Sequence, residues 1–444
     1  MHYDCIIVGA GPAGIFAALE LTEKKGKLKV LVIEKGKDLA ERQRREVFNG
    51  WGGAGTYSDG KLNLSKDVGG VLNEYIDDAA LTELISYADG VYLKFGATTE
   101  LKGQDRAAVA RIEESAARAG LRLVYFPIRH IGTDRCYTLL KNMREELEGR
   151  AELLFDREVT EIVREEGVVK GVKTSDGSEY KSSHVILCPG RGGSHWLQEV
   201  ARNAGLSISI NPVDIGVRVE VPASILKSVT DCVHEAKLTY NSKRFDDHMR
   251  TFCMNPYGIV VKERGPGFCT VNGHSFSTKK SQNTNFAILV STTFTEPFRE
   301  PIAYGQYIAK LANLLGEGII VQRLGDLLHG RRSTPGRINR SGITPTLKDA
   351  TPGDLSFVIP YRYVSDILEM LEALDRFAPG INSPSTLLYG VEVKFYSMRL
   401  KLSEDMETEL KNLFAAGDGA GVTRGIIQAS VSGIVAAREI LKRV

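Results

Sequence analysis

Residues 3–14 read Tyr3-Asp4-Cys5-Ile6-Ile7-Val8-Gly9-Ala10-Gly11-Pro12-Ala13-Gly14. An apolar run from Tyr3 to Val8 stops at a turn with glycine at 9, 11 and 14, and a helical pattern follows at once through Ile15, Ala18 and Leu19 to Lys24, Lys25 and Gly26. The order is strand, tight turn, helix. A second strand, Lys29 to Ile33, ends in Glu34, twenty positions after Gly14. Each spacing has a mechanical reason. Gly9 permits the turn, Gly11 lets the backbone approach a pyrophosphate, and Gly14 packs helix on strand, while the helix N-terminus beside Pro12 and Ala13 faces negative charge. Glu34 can accept from both ribose hydroxyls of an adenosine and would repel a 2′-phosphate. The stretch predicts a dinucleotide site of α/β type, and by itself it does not separate NAD from FAD.

The far end of the chain makes that separation. Leu413-Phe414-Ala415-Ala416 reads as a buried strand ending in Gly417-Asp418, followed by a glycine-rich turn (Gly419, Gly421, Gly425) and a helix from about Ile426 to Lys442. A carboxylate at a strand end, Asp418, can hold a ribityl hydroxyl. A helix N-terminus at Gly425-Ile426-Ile427 can point N–H groups at the flavin N1/C2=O edge, where its dipole stabilises the anionic reduced ring. A plain docking helix behind a glycine turn would look the same. Paired with the N-terminal motif, it points to FAD.

These segments, with Glu34-Lys35 and Arg42 beyond them, resemble the FAD-binding domains of glutathione-reductase-type flavoproteins. Four further stretches narrow the likeness: Gly52-Gly53-Ala54-Gly55-Thr56-Tyr57-Ser58-Asp59-Gly60-Lys61-Leu62, His130-Ile131-Gly132-Thr133-Asp134, Thr251-Phe252-Cys253-Met254 and Glu392-Val393-Lys394-Phe395-Tyr396-Ser397. Together they resemble a bacterial family called NAD(FAD)-utilising or FAD-dependent dehydrogenases, distantly similar to geranylgeranyl reductases and aromatic hydroxylases. The resemblance spans nearly the whole chain. It implies the fold and an FAD cofactor, places Lys35 and Arg42 at that cofactor, and puts Val159 where such proteins bind adenine through a backbone amide. It implies no substrate.

Composition sets the surroundings. With 57 Lys+Arg against 55 Asp+Glu the net charge is +2, which favours neither nucleic acid nor an anionic membrane. A small-molecule substrate, with an anionic group as one option, is the expected partner, and the oligomeric state is left open. The N-terminus lacks a basic region before a signal-type run and no stretch of 18 apolar residues occurs, so a cytoplasmic protein without membrane insertion is expected. Six scattered cysteines without a CxxC pair read as buried thiols, and no histidine spacing supports a metal site. Glycine is enriched, 45 of 444 residues or about 10% where about 7% is usual. It concentrates at four turns: 9–14, 50–60, 190–193 and 417–425.

Between the ends, a helix from Asp134 to Leu147 capped by Thr133 precedes short strands at 152–155, 158–164, 168–174 and 183–188, the last running into Pro189-Gly190, a further expected dinucleotide contact. From about Asn211, strand-like runs (215–221, 258–261, 286–292) alternate with helices at about 302–315 and 363–377. The predicted fold is α/β: a Rossmann-like FAD-binding domain of glutathione-reductase type, residues 1–210 and 385–444, with an inserted antiparallel-sheet α+β substrate domain at 211–384. The flavin ring is expected at the domain junction.

Four segments carry candidates for chemistry, with Lys61, His130, Lys394 and Tyr396 as the catalytic ones. The loop Trp51 to Lys61 can wrap the flavin through Gly52, Gly53 and Ala54 and bring Lys61 to it, or be a flexible loop with a solvated Lys-Asp pair. An imidazole titrates near neutrality, so His130 can move the proton that accompanies hydride transfer, or can satisfy backbone groups at a helix start. On the strand 391–397, Glu392, Lys394 and Tyr396 alternate onto one face, where they can anchor a substrate or form a polar outer surface. Arg331, Arg332, Arg337 and Arg340 stand without an acid between them, fit to bind an anion or to be solvated. The reading is a soluble FAD-dependent oxidoreductase, a dehydrogenase or reductase passing hydride between flavin and an organic substrate such as an activated C=C bond. No second nucleotide motif is present, so NAD(P)H enters only as a candidate transient donor. Two alternatives stay open: a flavin monooxygenase, against which Pro189-Gly190 stands where hydroxylases carry Asp-Gly, and a flavoprotein that modifies tRNA.

Overall fold

The computed structural model describes residues 2–23, 28–43, 49–58, 60–265, 267–276, 280–294, 298 and 300–444. The expected helix end at Lys24, Lys25 and Gly26, Asp59, and the side chain of Thr133 lie outside the described residues. The chain divides into two compact units: residues 1–101, 128–211 and 396–444, and residues 102–127 with 212–395. This departs from the expected division. The strand Leu387–Lys394 is hydrogen-bonded inside the second unit's sheet, so the return to the first unit comes at 396 and not at 385. The segment 102–127 also crosses into the second unit, carrying the helix Arg106–Arg118 and the strand Arg122–Val124.

The first unit is built on parallel strands in the order Glu152–Leu154, Val30–Ile33, His2–Val8, Glu179–Leu187, Leu413–Ala415, with the antiparallel strands Val168–Thr174 and Val159–Glu165 continuing from the early half of Glu179–Leu187. Ile6, Ile7, Leu31, Ile33, Ile186, Leu187 and Phe414 are fully buried, as continuous apolar runs in a parallel sheet must be. Register then does the positioning. Val8 stands opposite both Ile33 and Leu187, and Leu187 opposite Ala415. Four strands therefore end level, and the segments after them (Gly9, Glu34, Cys188-Pro189-Gly190 and Ala416-Gly417) emerge at one edge of the sheet. That carboxyl edge is where open α/β sheets hold their ligands. The helix Pro12–Glu23 crosses the terminal helix Ile426–Arg443 at a contact only glycine allows: a Cβ on Gly433 would lie 2.0 Å from the Ala13 carbonyl oxygen.

The second unit has a mostly antiparallel sheet of eight strands among its described residues, ordered 351–352, 320–323, 387–394, 213–222, 283–292, 248–255, 237–241, 122–124. Its central strand, Val213–Pro222, alternates with period two. Val213, Ile215, Val217, Val219 and Val221 enter an apolar core with the helices Ala223–Val233 and Tyr361–Phe377, while Asp214, Arg218 and Glu220 enter the opposite face. All three charged residues are buried, so that face is a second, polar interior. The hairpin Ile259–Gly265 and Phe268–His274 covers it: a Cβ on Gly273 would come within 2.5 Å of Arg218 Nη1 and Asn255 Nδ2.

Candidate site at the carboxyl edge of the first sheet

At the edge where the strands end level, the first glycine turn behaves as its spacing predicts. Gly9 adopts φ +106°, and its N–H donates to the Ile33 carbonyl at 2.8 Å. A Cβ there would lie 2.2 Å from the Cys188 carbonyl oxygen, and one on Gly14 would lie 1.9 Å from the Gly9 oxygen. Gly11 is different, for a Cβ there meets no atom within 4 Å. Packing demands glycine at 9 and 14; at 11 it leaves the backbone open to an approaching group. Gly190, at φ +61°, is likewise open, and its backbone is pressed by Gly419, whose Cβ would stand 2.7 Å from the Gly190 oxygen. Pro189 and Gly190 thus meet the 417–419 turn across more than two hundred residues of sequence. Gly417 donates to Ser432 Oγ at 2.9 Å, and a Cβ on it would touch Ala13 at 3.1 Å. Asp418 accepts from Thr423 Oγ1 at 2.8 Å, with Arg191 Nε 3.5 Å from its other oxygen.

Glu34 is buried, and its carboxylate accepts three backbone N–H groups, from Ala10, Gly36 and Gly50, each at 2.8 Å. A carboxylate has about four acceptor positions. The expected grip on both ribose hydroxyls narrows to about one remaining position, and Glu34 first holds three glycine-bearing turns together. Arg42, also buried, donates to the carbonyls of Trp51 (2.6 Å) and Gly53 (3.0 Å) and to Thr56 Oγ1 (2.5 Å), with the Tyr57 ring 5.0 Å away. These bonds shape the loop that contains Ala54. Gly52 donates to the Ala10 carbonyl at 2.8 Å, and a Cβ on Gly53 would stand 3.2 Å from Gly11 Cα, so this loop seats on the first turn. Lys35 faces Glu158 at 3.9 Å beside the buried Val159, the first residue of its strand.

The terminal helix starts at Ile426 behind an extended Gly425 that supplies no side-chain cap. The first-turn N–H groups of an α-helix have no intrahelical acceptor, so those of Ile426 and Ile427 are directed outward with the positive end of the dipole. A segment that sequence reasoning passed over braces this end. Gly69 accepts from the N–H groups of Arg424 (2.7 Å) and Gly425 (2.9 Å), while Gln428 donates to the carbonyls of Lys66 and Val68 at 3.1 Å each. Only the Gly69-Gly70 pair could have signalled this. Two open glycines, a strand-end carboxylate and an uncapped helix N-terminus at one sheet edge fit a dinucleotide carrying a flavin.

The candidates for chemistry separate into those brought together and those not. Lys61 and His130 are cross-strand partners on the strands Lys61–Asn63 and Ile128–His130. Ile131 donates to the Gly60 carbonyl at 3.0 Å, which makes 61/130 a non-hydrogen-bonded pair, the type in which side chains stand closest. His130 thus ends a strand, and the cap of the following helix is Gly132; Thr133 is its first residue. Lys394 and Tyr396 do not share a face. The strand ends at Lys394, and Tyr396 falls in the first unit, its ring 3.8 Å from the Arg424 guanidinium.

Nor is the Glu392 face a solvated surface. Glu392 is fully buried in a two-pronged pair with Arg218 at 2.7 Å and 2.7 Å, and Arg218 also donates to the Cys253 carbonyl and Asn285. Lys394 lies 3.2 Å from Glu392 and 3.4 Å from Glu263. Burial opposes its charge, but the two carboxylates outweigh burial and raise it above the usual lysine value. The arginine-rich segment has an acid after all. Asp326, just upstream, accepts from Arg331 at 2.9 Å and lies 3.8 Å from Arg337, and it is held below the usual carboxylate range because the Ser333 and Arg331 hydrogen bonds outweigh burial. Cys5 and Cys188 are buried, and burial pushes both thiols well up. Among the described residues no helix is long and apolar enough to cross a membrane.

Known families and proteins match much of the chain. A family described as "FAD dependent oxidoreductase" matches residues 4–250, and one described as "FAD-dependent protein, C-terminal domain-like" matches residues 212–395. An uncharacterized protein of Clostridium beijerinckii is 27% identical over 478 residues, covering 99% of this chain and 80% of that protein. The tRNA uridine 5-carboxymethylaminomethyl modification enzyme of Wolinella succinogenes is 26% identical over 295 residues, covering 63% of this chain and 42% of that enzyme. Among solved structures, the L-proline dehydrogenase of P. horikoshii is similar at 14% identity and a TM-score of 0.42, covering 100% of this chain and 94% of that one.

Proposed function

Because the chain belongs to the FAD dependent oxidoreductase family, we propose that it is a dehydrogenase or reductase of the glutathione-reductase type that passes hydride between FAD and a small organic substrate, with an activated C=C bond as the acceptor class. The distant likeness to geranylgeranyl reductases belongs to the same proposal. The observation that carries it is the level ending of four parallel strands, which gathers Gly11, Gly190 and Asp418 at one edge with the terminal helix behind them. When bound, FAD supplies a ring that can take up or release a hydride.

The residues divide the remaining work. Gly11 and Gly190 admit the pyrophosphate, and Glu34 takes an adenosine ribose hydroxyl with its remaining acceptor position. Asp418 takes a ribityl hydroxyl, and the first turn at Ile426 and Ile427 favours negative charge on the group before it. His130 holds or moves a proton at its imidazole nitrogens, and Lys61 is its cross-strand partner. Tyr396, lying against Arg424 next to the helix cap, is the phenol we assign to substrate contact.

Anaerobic reduction by NADH and NADPH, followed by a reoxidation screen of unsaturated acids, ketones and quinones, tests the proposal. Rapid bleaching of the flavin absorbance with one donor and its return with an activated alkene would support it. A purified protein that takes up no FAD would defeat it, and turnover that requires dioxygen would favour a monooxygenase. A second reading, action on tRNA, is favoured by the identity with the Wolinella succinogenes enzyme. Salt-dependent tRNA binding by the purified protein checks it.

A further inference from the structure

The helix Pro301–Gly316 of the second unit is apolar on both sides. Gly305, Ile308, Ala309 and Ala312 face inward, as an amphipathic helix requires. The outward side carries Tyr307 (72% exposed), Leu311 (41%), Leu314 (78%) and Leu315 (51%). Lys310 is the one charged residue between 301 and 316. Phe298, 39% exposed, extends the stripe at its N-terminal end through edge-on contacts with Phe294 and Tyr304. Other exposed large apolar residues, such as Tyr137, Leu328 and Tyr361, belong to other helices.

The outward positions 307, 311 and 314 step by four and three, which is the a/d spacing of the seam along which a helix packs against another helix. We propose that this seam is a homodimer interface, in which the helix pairs antiparallel with the same helix of a second copy about a two-fold axis near Leu311 and Leu314. Three observations favour a second copy. The seam is self-complementary, because leucine meets leucine across the axis and no buried charge results, Lys310 standing at the flank with an aliphatic stem that can lie along the seam. The area suffices: at about 150–250 Å² for a fully exposed large side chain, Phe298, Tyr307, Leu311, Leu314 and Leu315 at their fractional exposures present on the order of 500 Å² per copy, or about 1,000 Å² in the pair, the lower bound of a specific interface. A membrane surface fits less well, since helices that lie in it carry several Lys or Arg on the polar face and this one has a single lysine.

Light scattering after size exclusion of the FAD-loaded protein, over about 1–100 μM, tests the proposal, with Leu314→Glu as the variant. The wild type is expected to rise from the 48.7 kDa chain mass toward twice that value. Leu314→Glu, at a position 78% exposed, should stay monomeric with unchanged flavin content and melting temperature. A wild type that is monomeric throughout, or a dimer that survives both Leu314→Glu and Tyr307→Glu, overturns the assignment. So does a monomer that floats with phosphatidylglycerol vesicles and loses that binding on Leu314→Glu, which would give the face to a membrane.

Discussion

At the scale of single residues, the three glycines of the first turn act through different physics, and substitution separates them. Gly14→Ala would force a methyl to within 1.9 Å of the Gly9 carbonyl oxygen, a backbone atom that cannot rotate away. It should destabilise the protein by about 1–3 kcal/mol whether or not cofactor is present. Gly11→Ala meets nothing within 4 Å, so the apoprotein should melt within about 0.5 kcal/mol of wild type. Its FAD affinity should nonetheless fall at least tenfold, because the methyl stands where the pyrophosphate must approach. Denaturation of apoprotein together with a flavin titration checks both, and loss of apoprotein stability in Gly11→Ala would remove the assignment. Glu34→Gln tests the narrowed role of the carboxylate. An amide cannot accept from Ala10, Gly36 and Gly50 in the same way and turns an N–H₂ toward N–H donors, so a loss of about 1–3 kcal/mol is expected even without FAD.

At the scale of elements, the helix Tyr361–Phe377 carries a titration into the second unit. Asp366 is buried and faces Asp247, which Arg362 grips at 2.5 and 2.6 Å. Burial first, then the neighbouring Asp247, lifts the Asp366 carboxyl to about 6, against the opposing pull of Ser242 and Arg362, while Arg362 holds Asp247 low. The raised value means that folded Asp366 keeps a proton the unfolded chain has released. Its stabilising contribution is therefore full below pH 4, declines between about pH 4 and 6, and is gone above that. Asp366→Asn should flatten this slope and raise the melting temperature at pH 8, as thermal denaturation from pH 4 to 8 would show. Little of this was legible in sequence, and the reason is general. The turns at 9–14 and 417–425 could be read because strand, glycine and helix are neighbours in the chain. Asp247 and Asp366, or Arg218 and Glu392, are partners separated by more than a hundred residues. The alternation Glu392-Lys394-Tyr396 misled for a related reason: period two identifies two faces but cannot say that the polar one is covered by a hairpin, or that the strand stops at 394.

At the scale of the whole molecule, the α/β class and the inserted sheet were legible because the hydrophobic periods change along the chain, but the double crossing was not. Nothing in Lys102–Pro127 marks it as part of the later sheet; its helix pattern would suit either unit. In the structure Leu123 stands opposite Leu238, making Arg122–Val124 the edge partner of Lys237–Asn241, and Val109, Ile112, Ala116 and Leu121 are buried in the second unit's core. The region 212–395 that matches a family of its own is therefore an incomplete folding unit. Expressed alone, it should expose the strand Lys237–Asn241 as an unpaired edge and lose three large buried side chains. At about 1.5–3 kcal/mol each, that loss exceeds about 4 kcal/mol, a large share of a domain's stability. Fusing 102–127 to 212–395 through a flexible linker should return a cooperative, monodisperse or dimeric species, where 212–395 alone aggregates. Size exclusion and thermal melts of the two fragments decide the matter, and equal stability would mean that the 102–127 crossing contributes nothing to that unit's fold.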